Sequence, residues 1–244
     1  MVEHMELDLN GVNFVDLTHP MHPGMPVWPT HPPFRQDLIE SYDRGDIACN
    51  HSLCLSEHSG THFDAPLHFV RGGMAIADVP VERFFGRLAT IHAPDCRPCE
   101  AIGLDRIAAF ETEFGAIRAG DAVLFHFGWD RFWNDPAPHT RFLKDWPGLS
   151  KDVCLLLRDR GVRMVGSDCL SIDCFGSTDF PAHNVLLGAG ILVGENFANL
   201  GSLPAFSFLV ALPLPISSGS GAPTRAIALL QPPRMHNPIS GDDA

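Results

Sequence analysis

Between Lys151 and Gly166 the chain changes from helical to strand patterning with only a glycine at the junction, and this most narrows the folds open to it. Val153, Leu156 and Leu157 fall on one face of a helix over Lys151 to Arg160, and Gly161 supplies its end. A strand over Val162 to Gly166 follows at once. A helix that returns directly into an apolar strand must pack on the sheet which that strand joins, so the pattern predicts an α/β layered fold. A second helix is expected over Gly103 to Phe114, and further strands over Asn13 to Leu17, Arg87 to His92, Ala122 to Phe127, Ile191 to Val193, Phe206 to Leu212 and Ala226 to Leu230. Strand therefore outweighs helix.

Six prolines at positions 20, 23, 26, 29, 32 and 33 bar both helix and central strand there, so the segment is an irregular loop carrying Trp28 and His31. The polar tail from Pro232 reads as mobile. With no internal repeat or linker, one domain over residues 1 to 244 is expected.

Composition excludes several classes. A formal net charge of −12 without a Lys/Arg cluster argues against a nucleic-acid partner. No apolar run reaches the ~20 residues of a membrane helix, and Met1 to Val12 does not read as a secretion signal. Seven cysteines, an odd number scattered through apolar surroundings, fit reduced thiols in the cytoplasm. Cys96-Arg-Pro-Cys99 has metal-site spacing but no second pair, and reads as a surface loop.

The chemistry concentrates in Glu57-His58-Ser-Gly60-Thr-His62-Phe-Asp64-Ala-Pro66-Leu-His68. From His58 onward the ligand-type side chains occupy even positions, which share one face of an extended chain while Ser59, Thr61 and Phe63 face the other. A straight strand would separate the alpha carbons of His58 and His62 by ~13 Å. The chain must therefore bend, and Gly60 is where it can. A His-x-x-x-His helix would also align the imidazoles, but Gly60, Thr61 and Pro66 oppose it. Imidazoles with a carboxylate suit zinc, manganese or iron. The plainer alternative is a set of satisfied polar residues in an exposed loop.

The segment His58-x-Gly-Thr-His62-x-Asp64-x-Pro-x-His68 resembles the signature of the cyclase family of hydrolases, which includes bacterial kynurenine formamidases and isatin hydrolases. Gly166-Ser-Asp168-Cys-Leu-Ser171-Ile-Asp173, His183-Asn-Val-Leu-Leu-Gly188 with Glu195-Asn196, and Asp16-Leu-Thr-His19-Pro are similar to other stretches of that family. The resemblance implies a swivelling β/β/α fold, and metal ligation by His58, His62 and Asp64 joined by His183 and Glu195. It also implies one or two zinc or manganese ions per chain, His68 as general acid/base, and assembly into dimers or tetramers. Glu57 or Asp173 is expected to orient an imidazole.

Trp28 is a candidate substrate contact, with Phe34, Phe69 and Phe180 behind it. Ser171 lacks the Gly-x-Ser-x-Gly surroundings of a nucleophile. The expected activity is hydrolysis of an amide bond in an aryl or cyclic small molecule, N-formylkynurenine or isatin. The Ser56-Glu57-His58 lead-in tilts this toward the isatin-hydrolase-like members. Lactone or cyclic-ester opening is the enzymatic alternative, and a non-catalytic metal-dependent ligand-binding protein is the alternative of another class.

Overall fold

The computed structural model describes residues 7–8, 10–230 and 234–235. Its frame is an eight-stranded sheet: β1 (Phe14–Asp16), β2 (His62–Asp64), β3 (Phe85–His92), β4 (Ala122–His126), β5 (Met164–Ser167), β6 (Leu192–Glu195), β7 (Phe206–Pro213) and β8 (Gly221–Leu229). The order is β7-β3-β4-β5-β6-β2-β8-β1, and β7 also pairs with β8, so seven strands close into a barrel. β3 to β6 run parallel to one another, whereas β2, β7 and β8 join antiparallel.

Each parallel step crosses over through a helix: α1 (Leu104–Phe114), α2 (Lys151–Asp159) and α3 (Pro181–Gly188). Ser150 caps α2 by accepting from the Val153 N–H at 3.3 Å, and Val153, Cys154 and Leu157 are its buried face. Strand alternation then divides the apolar residues into two cores. Leu88, Ala122, Leu124, Met164 and Leu192 fill the barrel with Phe63 and Phe197. Ala89, Ile91, Val123, Phe125, Val165 and Val193 meet the helices. Gly166 and Gly194 lie where strands and aromatic rings approach too closely for a Cβ, which would strike the Gly194 carbonyl in one case and the Phe63 and Phe197 rings in the other.

The predicted strands and both predicted helices are present, and residues 21–33 are irregular. The elements that escaped the sequence reading include α3, the exposed hairpin Arg35–Glu40/Asn50–Cys54, the short parallel pair Ala101–Ile102/Gly148–Leu149, and the pairing of Arg234–Met235 with Leu7–Asp8. That last pairing corrects the expected tail for two residues; the rest of the tail lies outside the described residues. No helix among the described residues is long and apolar enough to cross a membrane.

Candidate metal centre and its chamber

β2 is only three residues long, yet it places the site. Phe63 points into the barrel, so His62 and Asp64 must point out. β6 pairs antiparallel with β2 and sets Glu195 opposite His62 and Val193 opposite Asp64. Both carboxylates and His62 thus emerge on the helix side of the sheet, where α3 presents His183. Gly60, at φ +63°, makes the bend that brings His58 back over the same face. His68 follows at the end of a short 3-10 turn, Pro66–His68.

Asp64 is at the centre of the cluster, 1% exposed. His58 Nδ1 lies 2.6 Å from its Oδ1, His62 Nε2 3.4 Å from the same oxygen, and His183 Nε2 3.3 Å from Oδ2. Glu195 stands opposite, 3.6 Å from His62 Nε2 and 3.2 Å from His183 Nε2.

The supporting hydrogen bonds fix which imidazole nitrogens are free. His62 donates from Nδ1 to the Gly60 carbonyl at 2.8 Å, and His183 donates from Nδ1 to Asp173 at 2.6 Å. In the neutral rings, both Nε2 atoms then carry lone pairs facing carboxylate oxygens. His62 Nε2 and Asp64 Oδ2 are buried with no hydrogen-bond partner among the described residues.

Lone pairs facing lone pairs in a buried site call for a cation between them. The electrostatics agree. Burial opposes protonation of His183, but the Asp173, Asp64 and Glu195 carboxylates around it outweigh that and hold its pKa well above the usual histidine range, so the site draws positive charge to itself, as a proton on the ring where no metal is bound. His62 shifts upward for the same reason. Burial would raise Asp64, yet its three histidine neighbours hold it well below the usual carboxylate range. This donor set of nitrogen and oxygen fits a divalent ion. His62, Asp64 and Glu195 form one group whose donor atoms lie within 4.8 Å of one another, and His58, Asp64 and His68 form a second that shares Asp64.

Asp173 and Glu57 both act as supports. Asp173 also accepts the Ala182 and His183 N–H groups at 2.7 and 3.2 Å, which anchors the first turn of α3. Glu57 takes the Ser220 hydroxyl and backbone N–H, and Ser220 Oγ lies 2.8 Å from His58 Nε2. Ser220 escaped the sequence reading, since nothing local ties it to a residue 162 positions away. His31 escaped it too; its ring lies 5.9 Å from that of His58 on the chamber wall.

His68 stacks obliquely over His58 with ring centroids 4.0 Å apart, and its ring makes no hydrogen bond among the described residues. Burial lowers its pKa to about 4, so the ring is neutral at neutral pH. The chamber has a volume of about 320 Å³ and opens between Trp28, Phe69 and Phe180 on one side and the histidines on the other. Phe34 does not reach it; that ring is buried in the helix-side core. Ser171 lines the chamber, and its hydroxyl accepts the Asp173 N–H at 3.3 Å.

The family model described as "Putative cyclase" matches residues 15–174. A kynurenine formamidase of Salinibacter ruber is 34% identical over 87% of this chain and 95% of its own length. An isatin hydrolase of Roseibium aggregatum is 32% identical over 90% and 92%. Among solved structures, an isatin hydrolase bound to the product analogue thioisatinate superposes with a TM-score of 0.84 at 31% identity, covering 91% of this chain and 93% of that one. Isatin hydrolase A from Labrenzia aggregata, bound to benzyl benzoate, gives 0.82 at 31% identity over 90% and 94%. Fold, motif positions and these likenesses together make the chain a member of the cyclase family of hydrolases.

Proposed function

We propose that the protein is a metal-dependent amidohydrolase that opens the C–N bond of an aryl or cyclic amide, an isatin-like lactam or an N-formyl arylamine. The observation that carries this reading is the convergence of His62 Nε2, His183 Nε2 and the carboxylates of Asp64 and Glu195 on the floor of an aromatic-walled chamber, with His62 Nε2 and Asp64 Oδ2 buried and without a hydrogen-bond partner among the described residues. His58, His62, Asp64, His183 and Glu195 are the residues that would hold one or two zinc or manganese ions, with Asp64 common to both donor groups.

When bound, such an ion polarises a carbonyl and acidifies water toward neutral pH. His68 is the general acid/base. Its neutral ring takes a proton from the attacking water as the new C–O bond forms, then gives that proton to the nitrogen as the C–N bond breaks. Asp173 holds the His183 tautomer, and Ser220 with Glu57 positions His58. Trp28 faces the chamber where a flat substrate would lie. Lactone opening uses the same attack, and one structural relative holds an ester, benzyl benzoate.

Assembly into a homodimer or homotetramer is part of the proposal, supported by exposed Leu38, Ile39, Tyr42, Ile47 and Leu53 on and beside the projecting hairpin. The seven unpaired cysteines support a reducing compartment, the cytoplasm.

The test is elemental analysis with hydrolysis of isatin and N-formylkynurenine, alongside His68→Ala. Bound zinc or manganese, and a variant that keeps its metal but loses ~10²–10⁴ in kcat, are the expected results. Turnover that survives thorough chelation would overturn the reading. Metal-loaded protein that binds but never hydrolyses amides or lactones would favour the ligand-binding alternative.

A further inference from the structure

A second cavity, of about 220 Å³, lies beside the metal chamber and shares three wall residues with it: Trp28, Ser171 and Phe180. Beyond that shared wall it is bounded by Leu143, Trp146, Cys174 and Phe175. For comparison, an apolar cavity of about 150 Å³ is large enough to bind benzene. The annexe therefore has room for a phenyl ring.

The dividing wall is built rather than incidental. Phe180 adopts a left-handed backbone (φ 43°, ψ 57°), which a bulky residue rarely does without surrounding constraint. Here the constraint is visible. Its N–H donates to Ser177 Oγ at 3.2 Å, and its carbonyl accepts from the Asn184 backbone N–H and side-chain Nδ2 at 3.0 and 2.9 Å. The ring is thereby held near Phe69 (5.6 Å) and His183 (6.3 Å), at the boundary of both cavities. Trp28 stands at the other side, edge-on to Trp146 at 6.1 Å.

The chemistry of both cavities is one-sided. Among the described residues, neither is lined by lysine or arginine, and the annexe is lined by no ionisable group except the Cys174 thiol. An α-ammonium with its α-carboxylate would be desolvated there without a counter-charge, since Glu195 is committed to the metal-ligand cluster.

Resting on the amidohydrolase reading, we propose that the annexe behind Trp28 and Phe180 is a substrate subsite for an uncharged apolar substituent. The preferred substrate is then an uncharged aryl amide or lactam with a ring-sized extension, and not an α-amino acid. Phe180 and Trp28 are specificity residues that align the extension while the scissile carbonyl sits over Asp64.

The test compares kcat/KM of metal-loaded enzyme on formanilide, on 3- and 4-phenylformanilide, on N-formyl-2-aminoacetophenone and on N-formylkynurenine. The last two share the ortho-acyl formanilide and differ in the charged amino-acid group. At least one phenylformanilide should exceed formanilide, and N-formyl-2-aminoacetophenone should exceed N-formylkynurenine.

Filling the annexe at either of two lining residues, by Cys174→Leu or Leu143→Trp, should lower the ratio of extended to compact kcat/KM by about tenfold, the scale set by one lost apolar contact group. Two variants at separate positions guard against one failing to fold. A ratio unchanged in both folded variants, or N-formylkynurenine as the better substrate, would overturn the proposal. If wild-type enzyme hydrolyses neither isatin nor any of the panel, the amidohydrolase reading fails instead. Calorimetric binding of 3- and 4-phenylformanilide to wild type and the filled variants then decides the annexe independently: binding weakened about tenfold by filling supports it, and unchanged binding refutes it.

Discussion

Two histidine–carboxylate clusters lie on this barrel, and proximity does not tell them apart. His62, Asp64 and Glu195 bring donor atoms within 4.8 Å of one another, and so do His126, Asp130 and Asp168. What separates them is where the lone pairs go. Asp168 accepts the Phe127 N–H on one oxygen (2.9 Å) and the Trp129 N–H on the other (2.8 Å), pinning the loop after β4. Asp130 accepts the Asn199 N–H at 2.9 Å. His92 donates from Nε2 to the Leu203 carbonyl and lies 3.0 Å from His126 through the two Nδ1 atoms, so each has a partner. In the Asp64 cluster the supporting bonds use the outer nitrogens of His62 and His183, and the inner atoms are left facing one another. The satisfied cluster has the bonding of a scaffold; the unsatisfied one has the donor set that a cation would fit.

The sharpest way to break this contrast is to remove the central carboxylate from each cluster. Asp64→Ala should abolish both metal retention and turnover with the fold intact, measured by elemental analysis and circular dichroism. Asp168→Ala should do the reverse. Leaving two buried N–H groups unpaired, at ~1–3 kcal/mol each, should cost roughly 2–6 kcal/mol of stability in denaturant unfolding, while the bound metal per folded chain stays the same. If Asp168→Ala instead strips the metal, the division into scaffold and site is wrong.

A smaller effect tests the supporting shell. Asp173→Asn should lower metal affinity or activity by ~10–100-fold, because Asp173 orients His183 without facing the ion. Asparagine keeps much of the shape, so a loss confined to stability would reduce Asp173 to a helix anchor.

The smallest effect concerns a third buried histidine. His19 stacks on Trp133 at 4.1 Å, and neither ring nitrogen has a hydrogen-bond partner among the described residues. Burial lowers its pKa to about 4 from 6.5. Its folded pKa is depressed, so between pH 6.5 and 4 the unfolded chain takes up a proton that the folded chain refuses. Stability is therefore lost as pH falls through that window. His19→Phe, which keeps an aromatic ring against Trp133, should recover about 1 kcal/mol at pH 5.5 and little at pH 8. The comparison with wild type at each pH cancels the other histidines. Equal acid sensitivity in both proteins would show that the ring protonates freely in the fold.

Much of this molecule was legible in its sequence, for local reasons. The helix over Lys151–Asp159 follows from its apolar spacing with Gly161 at its end, the barrel strands from short apolar runs, and the bend at Gly60 from the reach of His58 and His62. The even-position rule placed His62 and Asp64 on one face and Phe63 on the other, because strand geometry is a property of the backbone. α3 left a trace as well: Pro181 at its start, and Ala182 with Leu186 and His183 with Leu187 at i, i+4 spacing. That trace is short, and a helix of eight residues acquires its stability from packing.

Tertiary structure decided the rest. Whether Asp173 or Glu57 supports an imidazole, that Ser220 reaches His58 from 162 residues away, and that Asp168 is spent on backbone N–H groups all depend on which strands become neighbours. The residue types of a cluster are written locally. The partner each polar atom finds is set by long-range strand pairing, and that pairing separates a carboxylate that holds a loop from one that can hold a metal.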